Sequence, residues 1–285
     1  MRALARTDWR NALLAAQWAR ALPVERAAPL LIEALAAWQQ RTSDGRGSRR
    51  VEAELVSSLE AQSGRRIGHR LDWWRSWWDV RRRHGERRID TGGQTALAGP
   101  PPGTTQFFGL ELYSDRVVFV LDRSGSMDEA LGSAGRTRYE TAVEELRACL
   151  YGLGETAHFD VVVFHSGAQA WRGKLVGATK IAQREALQWL EGQGPGGATD
   201  LQSGLELVQR RGTDGSLSWN EFDADTAVVL CDGQFQRPSS VRDWLRENDP
   251  LGLLRVHCVQ LGTQADSRLE DLARATGGTF RRIDP

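Results

Sequence analysis

Residues 116–130 read RVVFVLDRSGSMDEA, an apolar run followed by small and polar residues. A near-continuous apolar run ends at Asp122, which is typical of a strand that is covered on both faces of its sheet. Ser124 and Ser126 follow and place two hydroxyls next to the carboxylate. None of these groups is a strong nucleophile, but all of them offer oxygen, the donor that hard metal ions prefer. The stretch therefore predicts a buried strand that ends in a metal-binding loop.

From residue 106 onward the chain alternates between strand-like and helix-like patterns. A helix is expected to begin at Thr137, with Glu140 three residues later completing a capping box. Further apolar strands are expected at 158–165, 226–232 and 254–262, with helices between them and a short last strand at 278–284. This order predicts an α/β fold, a doubly wound and mostly parallel central sheet with helices on both faces. Such folds bind ligands beyond the carboxyl ends of their strands, where the strand order reverses.

Three loops are expected at that edge of the sheet. The first carries Asp122, Ser124 and Ser126; the second, GPGGATDLQSGL at 194–205, carries Thr199; the third, VLCDGQF at 229–235, carries Asp232. Mg²⁺ takes about six oxygen ligands, so small oxygen-bearing side chains on rigid strand ends suit it. The three loops hold no Cys/His cluster of the kind that favours zinc. We therefore predict Mg²⁺ as the ion, with Mn²⁺ or Ca²⁺ as alternatives.

The three motifs FVLDRSGSM, GGATDL and LCDG, in this order, resemble the von Willebrand factor A-type domain with its metal-ion-dependent adhesion site. The resemblance runs across about residues 105–285. It implies that Ser124 and Ser126 bind the ion directly, and that Asp122, Thr199 and Asp232 bind it directly or through water. It also implies that a carboxylate from a protein partner can complete the coordination sphere. All five of these positions are filled, so we expect a complete metal site.

Cys231 is a departure from the family pattern, because Thr or Ser is frequent at this position. A thiol is a poorer hydrogen-bonding group than a hydroxyl, so we expect weaker metal affinity. The alternative is a vestigial metal site on a domain that serves as a scaffold. Neighbouring titratable residues have structural explanations: Asp200 as a helix cap, Asp223 and Asp225 as solvated loop residues, and His165 and His257 as core or edge histidines.

The first 90 residues follow a helical pattern, with helices expected at 8–21, 24–40 and 48–62. Next comes DWWRSWW, whose four tryptophans, from Trp73 to Trp78, form an aromatic band on one helix face. A packing wedge that closes a helical domain is the favoured interpretation, and a stacking platform for nucleic-acid bases is the alternative. The segment 91–105 is rich in Gly and Pro and is expected to be a linker. The predicted domains are thus an α-helical domain at 1–90, this linker, and an A-type domain at 106–285.

The helical part resembles the HEAT-like repeats that some bacterial proteins join to an A-type domain, which implies a protein-docking surface or a cap of a helical array. The 285-residue chain has no net charge, but residues 1–90 carry 18 basic against 11 acidic residues. Nucleic acid is nevertheless an unlikely ligand for a chain without net charge. Three widely spaced cysteines in apolar runs indicate buried, reduced thiols. No apolar run approaches a membrane span and no secretory segment is evident, so we expect a cytoplasmic protein.

These patterns favour a binding module over an enzyme. The predicted function is metal-dependent binding of a Glu or Asp of a protein partner, with no catalytic residues. One alternative is an adaptor or scaffold subunit, for example beside an ATPase, with a vestigial metal site. A metal-dependent hydrolase is the weaker alternative, because no His or Lys lies in the three loops and no Walker-type phosphate loop is present.

Overall fold

The strand Arg116–Asp122, here β3, lies in the middle of a seven-stranded sheet in the computed structural model. This structure describes residues 8–84, 101, 103–132, 135–208, 223–233, 241–263 and 267–284. By contacts the chain divides into two compact units, Met1–Pro102 and Gly103–Pro285. Most of the predicted linker lies outside the described residues, and its last residue, Thr105, begins a strand.

The second unit opens with a hairpin that the sequence analysis did not predict, formed by β1 (Thr105–Phe107) and β2 (Leu110–Leu112). The remaining strands are β3, β4 (His158–Phe164), β5 (Ala168–Ala170), β6 (Val176–Gly177), β7 (Thr226–Cys231), β8 (Arg255–Leu261) and β9 (Phe280–Ile283). Their order in the sheet is β5-β4-β3-β7-β8-β9, and β6 also pairs with β4. Only β5 and β6 run antiparallel among these described pairs, which confirms the mostly parallel sheet.

Helices cover both faces of this sheet: α5 (Arg138–Tyr151), α6 (Lys180–Glu191), α7 (Leu201–Glu206), α8 (Val241–Asn248) and α9 (Arg268–Ala275). One face of β3, with Phe119, packs in the same core as Leu146 of α5 and Leu190 of α6. The other face, with Val120, meets α7 so closely that a Cβ on Gly204 would lie 3.0 Å from the valine. The doubly wound α/β fold is therefore confirmed.

The strand order reverses beside β3, because β4 pairs with one edge of it and β7 with the other. The register places Asp122 opposite Phe164, and Leu121 opposite Leu230. The carboxyl ends of these three parallel strands therefore lie at the same edge of the sheet. This is the switch point at which doubly wound sheets bind their ligands.

Of the local predictions for this unit, some are confirmed and one is wrong. Thr137 and Glu140 form the expected capping box at the start of α5, with hydrogen bonds of 3.1 Å and 2.9 Å. The three cysteines are free and buried, as expected. The expectation of a solvated Asp225 is wrong, because its side chain is fully buried and accepts hydrogen bonds from the hydroxyls of Ser114 and Thr226.

The first unit is helical, with α1 (Trp9–Trp18), a 3₁₀ turn (Ala19–Ala21), α2 (Val24–Ser43), α3 (Arg49–Ser63) and α4 (Leu71–His84). Of the four clustered tryptophans, Trp74 and Trp77 are buried, and their rings meet edge to face at 5.7 Å. The other two are half-buried, and the guanidinium of Arg70 stacks over Trp73 at 4.4 Å. Packing therefore accounts for the middle of the aromatic band. No helix in the described part of the chain is long and apolar enough to cross a membrane.

Candidate metal centre

Asp122 ends β3, and its side chain is completely buried. Both of its carboxylate oxygens accept hydrogen bonds from the chain. Oδ1 accepts one from the backbone N–H of Ser124 at 2.7 Å, and Oδ2 accepts one from the thiol of Cys231 at 2.8 Å. The first contact is local and the second spans two strands, so the carboxylate is fixed in orientation from both sides.

The two serine hydroxyls lie side by side just beyond this carboxylate. The Oγ atoms of Ser124 and Ser126 are 3.1 Å apart. Ser124 is buried and Ser126 is half-buried, so the pair reaches from the interior towards the surface. A 3₁₀ turn, Gly125–Asp128, holds the second serine in place, and the buried side chain of Met127 anchors that turn in the core. The loop therefore presents two hydroxyl oxygens in one direction.

Backbone hydrogen bonds hold the second loop against the first. The N–H of Gly125 donates to the carbonyl of Gly197 at 3.0 Å, and the N–H of Gly196 donates to the carbonyl of Arg123 at 2.7 Å. Gly197 has a φ of +82°, and a Cβ at this position would approach Nδ1 of His165 to 2.9 Å. Both the backbone conformation and the close approach require glycine here.

Thr199 is buried in this second loop. Its neighbours on both sides are hydrogen-bonded to the turn after β4: Ala198 N–H donates to Oγ of Ser166 at 3.0 Å, and Asp200 N–H donates to the carbonyl of His165 at 2.7 Å. The side chain of Asp200 accepts a hydrogen bond from the N–H of Ser203 and caps α7, as the sequence analysis expected. The threonine thus lies in a loop that is tied to the rest of the centre.

Asp232 follows β7, and its side chain is also completely buried. Its Oδ2 accepts a hydrogen bond from a guanidinium nitrogen of Arg138 at 3.2 Å. Cys231 precedes it, and the thiol sulfur accepts the N–H of Gly233 at 3.3 Å, where the chain turns with a φ of +84°. Arg138 was not predicted to be part of the centre, since nothing local indicates that an arginine at the start of α5 would reach a residue 94 positions away.

The buried charges of the centre influence one another. Burial raises the pKa of Asp122 to about 6, and the negative charge of Asp232 acts in the same direction. The hydrogen bonds from Cys231 and Ser124 oppose this rise. Burial likewise raises the pKa of the Cys231 thiol well above its usual value, with a further contribution from the charge of Asp122. The thiol is therefore protonated at neutral pH and acts as a donor to the carboxylate.

The donor set fits a hard divalent cation. Ligand atoms of Asp122, Cys231 and Asp232 all lie within 4.8 Å of one another. The serine pair follows Asp122 directly, and the backbone N–H of Ser124 donates to this carboxylate. Two buried carboxylates at such a distance repel each other, and one of them shows a raised pKa as a result of burial and this repulsion. A cation would relieve that repulsion, and carboxylate and hydroxyl oxygens are the ligands that Mg²⁺ and Ca²⁺ take.

Comparison with known proteins identifies a family and several relatives of this chain. A family model described as von Willebrand factor type A domain matches residues 115–281. Human von Willebrand factor A domain-containing protein 3A is 28% identical over 182 residues, which cover 62% of this chain and 14% of that protein. Calcium-activated chloride channel regulator 1 of Sus scrofa is 29% identical over 195 residues, covering 65% of this chain and 18% of that protein. The chain therefore spans less than a fifth of the length of these two relatives.

Among solved structures, a von Willebrand factor type A protein from Catenulispora acidiphila matches with a TM-score of 0.49 and 23% identity. The match covers 62% of this chain and 40% of that one.

Proposed function

This chain belongs to the von Willebrand factor type A family, and we propose that its second unit binds an acidic residue of a protein partner through a divalent cation. Domains of this family are commonly protein-interaction modules. The proposed ion is Mg²⁺, with Mn²⁺ or Ca²⁺ as alternatives. The proposed ligands are Asp122, Ser124, Ser126, Thr199 and Asp232.

One observation carries the proposal: two fully buried carboxylates and a pair of adjacent hydroxyls meet at the edge of the sheet where the strand order reverses. Ligand atoms of Asp122 and Asp232 lie within 4.8 Å of each other, although the residues are 110 positions apart. Burying two like charges this close is unfavourable unless a cation or a hydrogen-bonding network compensates for it. Such an arrangement supports a binding function better than a purely structural one.

Each residue has a defined part in the proposed centre. Asp122 and Asp232 supply negative charge, and the hydroxyls of Ser124 and Ser126 supply neutral oxygen ligands. The thiol of Cys231 orients Asp122 through its hydrogen bond to Oδ2. When bound, the ion would supply a local positive charge and a coordination position that the carboxylate of an incoming Glu or Asp can fill.

We propose no catalytic role for this centre. A general base needs a carboxylate or imidazole that is free to accept a proton from the reacting group. Both oxygens of Asp122 accept hydrogen bonds from the protein, and the remaining lone pairs of this carboxylate are assigned to the proposed ion. Nδ1 of His165, on the neighbouring turn, accepts the N–H of Ser166 at 2.6 Å. These contacts favour binding over hydrolysis.

The first unit is proposed to be a HEAT-like protein-docking surface or the cap of a helical array. Its support is the central helix α3, which packs against both α1 and α2 and buries the apolar residues Leu55 and Leu59. The alternative for the whole chain is an adaptor or scaffold subunit beside an ATPase, with a metal site that has lost its function.

Selection of displayed random peptides on the immobilised full chain tests the proposal. In Mg²⁺ we expect peptides that share a Glu or Asp and that are released by a chelator. Exchange of that acidic residue for Gln or Asn should abolish binding. The Asp122→Ala/Asp232→Ala double variant should bind none of the peptides, because it lacks both carboxylates of the centre.

Asp271→Ala is the matched control, since it removes a carboxylate on α9, outside the three loops. It should bind the peptides as the wild type does. Peptides that bind equally well in the presence of chelator, or equally well to the double variant, would contradict a metal-dependent interaction and support the scaffold alternative. Circular dichroism spectra of both variants establish that the fold is retained.

A further inference from the structure

We propose that Arg138 is a permanent cation of the metal centre, which weakens binding of the ion and strengthens binding of an anionic ligand over a neutral one. This inference rests on the proposed function, because it concerns the same site. In this view Arg138 sets how tightly the centre binds the metal ion relative to how tightly it binds the partner's carboxylate.

The guanidinium of Arg138 reaches two of the three loops of the centre. One of its terminal nitrogens donates to Oδ2 of Asp232 at 3.2 Å and to the carbonyl of Ser126 at 3.1 Å. The other terminal nitrogen pairs with Glu129 at 2.9 Å. Arg138 is the first residue of α5, and the capping box at Thr137 fixes the start of this helix. The positive charge is thus held in place by a rigid element.

The two carboxylates that face Arg138 differ in how well they can balance its charge. The side chain of Asp232 is fully buried, that of Arg138 is 11% exposed, and that of Glu129 is 59% exposed. Water and salt screen the pair with Glu129, so it is a weak interaction. The pair with Asp232 is screened much less. The charge of Arg138 therefore acts mainly on a proposed metal ligand.

Counting charges gives the consequence for ligand choice. Asp122 and Asp232 together balance a divalent ion, and Arg138 then leaves one surplus positive charge among the buried groups, because its other partner, Glu129, is exposed and screened. Arginine does not lose its proton in proteins, so this surplus is permanent. A centre with surplus positive charge attracts a carboxylate more strongly than a neutral carbonyl or amide. The same charge repels the ion and occupies Oδ2 of Asp232, so the ion binds less tightly.

The guanidinium also has unused hydrogen-bonding capacity. Its Nε is buried and has no hydrogen-bond partner among the residues that the structure describes. A buried donor without a partner is unfavourable, so an acceptor that reached this nitrogen would be stabilised.

The test uses Mn²⁺ alone as the first probe, with free Mn²⁺ measured by electron paramagnetic resonance on the full chain. Arg138→Met keeps an unbranched, flexible stem and removes the charged guanidinium, and we expect about tenfold or greater gain in Mn²⁺ affinity. Arg138→Lys keeps the charge, so its affinity should stay within about threefold of the wild type. Arg147→Met, which removes an arginine from the same helix outside the centre, should bind as the wild type does.

Acetate is the second probe, with acetamide as its neutral counterpart. Acetate that reaches protein-bound Mn²⁺ displaces water and lowers the proton relaxation rate. We expect Arg138→Met to bind acetate at least about fivefold more weakly than the wild type, because the surplus charge is gone. Acetamide, which carries no charge, should bind both proteins alike. Tighter Mn²⁺ binding together with weaker acetate binding in Arg138→Met would support the inference, because an arginine with only a structural role would not produce these opposite changes.

The outcomes separate this inference from the proposed function. If Arg138→Met folds but binds Mn²⁺ no more tightly than the wild type, the inference is overturned and the proposed function stands. Mn²⁺ binding by Arg138→Met alone would support the inference and overturn metal binding by the native chain. Binding by neither protein overturns both. Arg138→Gln, which keeps a hydrogen-bond donor, replaces the Met variant if that variant does not fold; failure of both neutral variants to fold makes Arg138 structural and overturns the inference.

Discussion

Replacement of Asp122 by Asn tests whether the buried charge of Asp122 lowers the stability of the metal-free protein. The substitution keeps the size of the side chain and its acceptor for the Ser124 N–H, but removes the buried charge. We expect the metal-free Asn variant to be more stable than the metal-free wild type at neutral pH, and to gain nothing from Mg²⁺. A residue that is present for folding alone would behave in the opposite way.

The size of the effect follows from the pKa of Asp122. Burial, with the charge of Asp232, raises this pKa from 3.8 to about 6 despite the opposing hydrogen bonds from Cys231 and Ser124. A shift of this size corresponds to about 3 kcal/mol of destabilisation of the folded, metal-free protein at pH 7. The Asn variant loses the hydrogen bond from Cys231, which costs about 1 kcal/mol. The expected net gain is therefore about 2 kcal/mol, or about 4–8 °C in Tm for a unit of this size.

The pH dependence gives the sign independently. A carboxyl group whose pKa is raised on folding binds its proton more tightly in the folded state. Its destabilising effect is therefore absent below pH 3.8, grows between pH 3.8 and about 6, and is complete above that. The stability difference between the Asn variant and the wild type should follow the same course. It should be largest at pH 7 and disappear, or reverse slightly, near pH 4.

Urea denaturation of the chelator-treated full chain, followed by circular dichroism between pH 4 and pH 7.5, measures this difference. Asp128→Asn is the control, because it removes an exposed carboxylate from the same loop. It should leave the stability unchanged within about 0.5 kcal/mol at each pH. An Asn variant that is less stable than the wild type at pH 7, or equally shifted at pH 4 and pH 7, would refute the electrostatic account.

Three further substitutions test the packing of the two units by urea denaturation of the full chain. Trp74→Ala should cost about 3–5 kcal/mol, since the ring is fully buried and its N–H donates to the carbonyl of Gly68. Glu54→Gln should lower the free energy of unfolding by about 3 kcal/mol. In the wild type the buried guanidinium of Arg50 lies 2.8 Å from the Glu54 carboxylate, and the substitution removes this charge partner. Gly278→Ala should cost about 2–3 kcal/mol, because its Cβ would overlap the carbonyl of Val256.

Matched controls accompany these three substitutions. Trp18→Ala removes a tryptophan that is 73% exposed, and Glu33→Gln removes an exposed carboxylate from α2. A Cβ on Gly177 would meet nothing within 4 Å, so Gly177→Ala is tolerated sterically. Each control should change stability by less than about 1 kcal/mol. Equal costs for Trp18→Ala and Trp74→Ala would contradict the packing role of the tryptophan band.

The sequence predicted those parts of the fold that depend on local patterns. Apolar runs ending in Asp122 and Asp232 identified two parallel strands and the edge at which they end, because such a sheet buries both of its faces. Thr137 and Glu140 identified the start of a helix, because the capping box is formed within one turn. Such structures are formed by residues that lie within a few positions of one another in the sequence.

Features that depend on distant partners were not predictable. Asp225 was expected in solvent, but Ser114, 111 positions away, donates to it in the interior. The contact between Arg138 and Asp232 likewise follows only from the folded sheet, which brings α5 beside the third loop. The hairpin of β1 and β2 was missed because it is formed by two strands of only three residues each. The sequence therefore indicated the proposed ligands but not the positively charged Arg138 beside them.

Isothermal titration of the chelator-stripped full chain with Mg²⁺ and Mn²⁺, with and without acetate, measures whether the proposed centre binds a metal ion. The proposed centre predicts saturable binding of one ion, strengthened by acetate and absent in the Asp122→Ala/Asp232→Ala variant. Absence of binding under both conditions, or binding that persists in the variant, would contradict a metal centre built on these two aspartates.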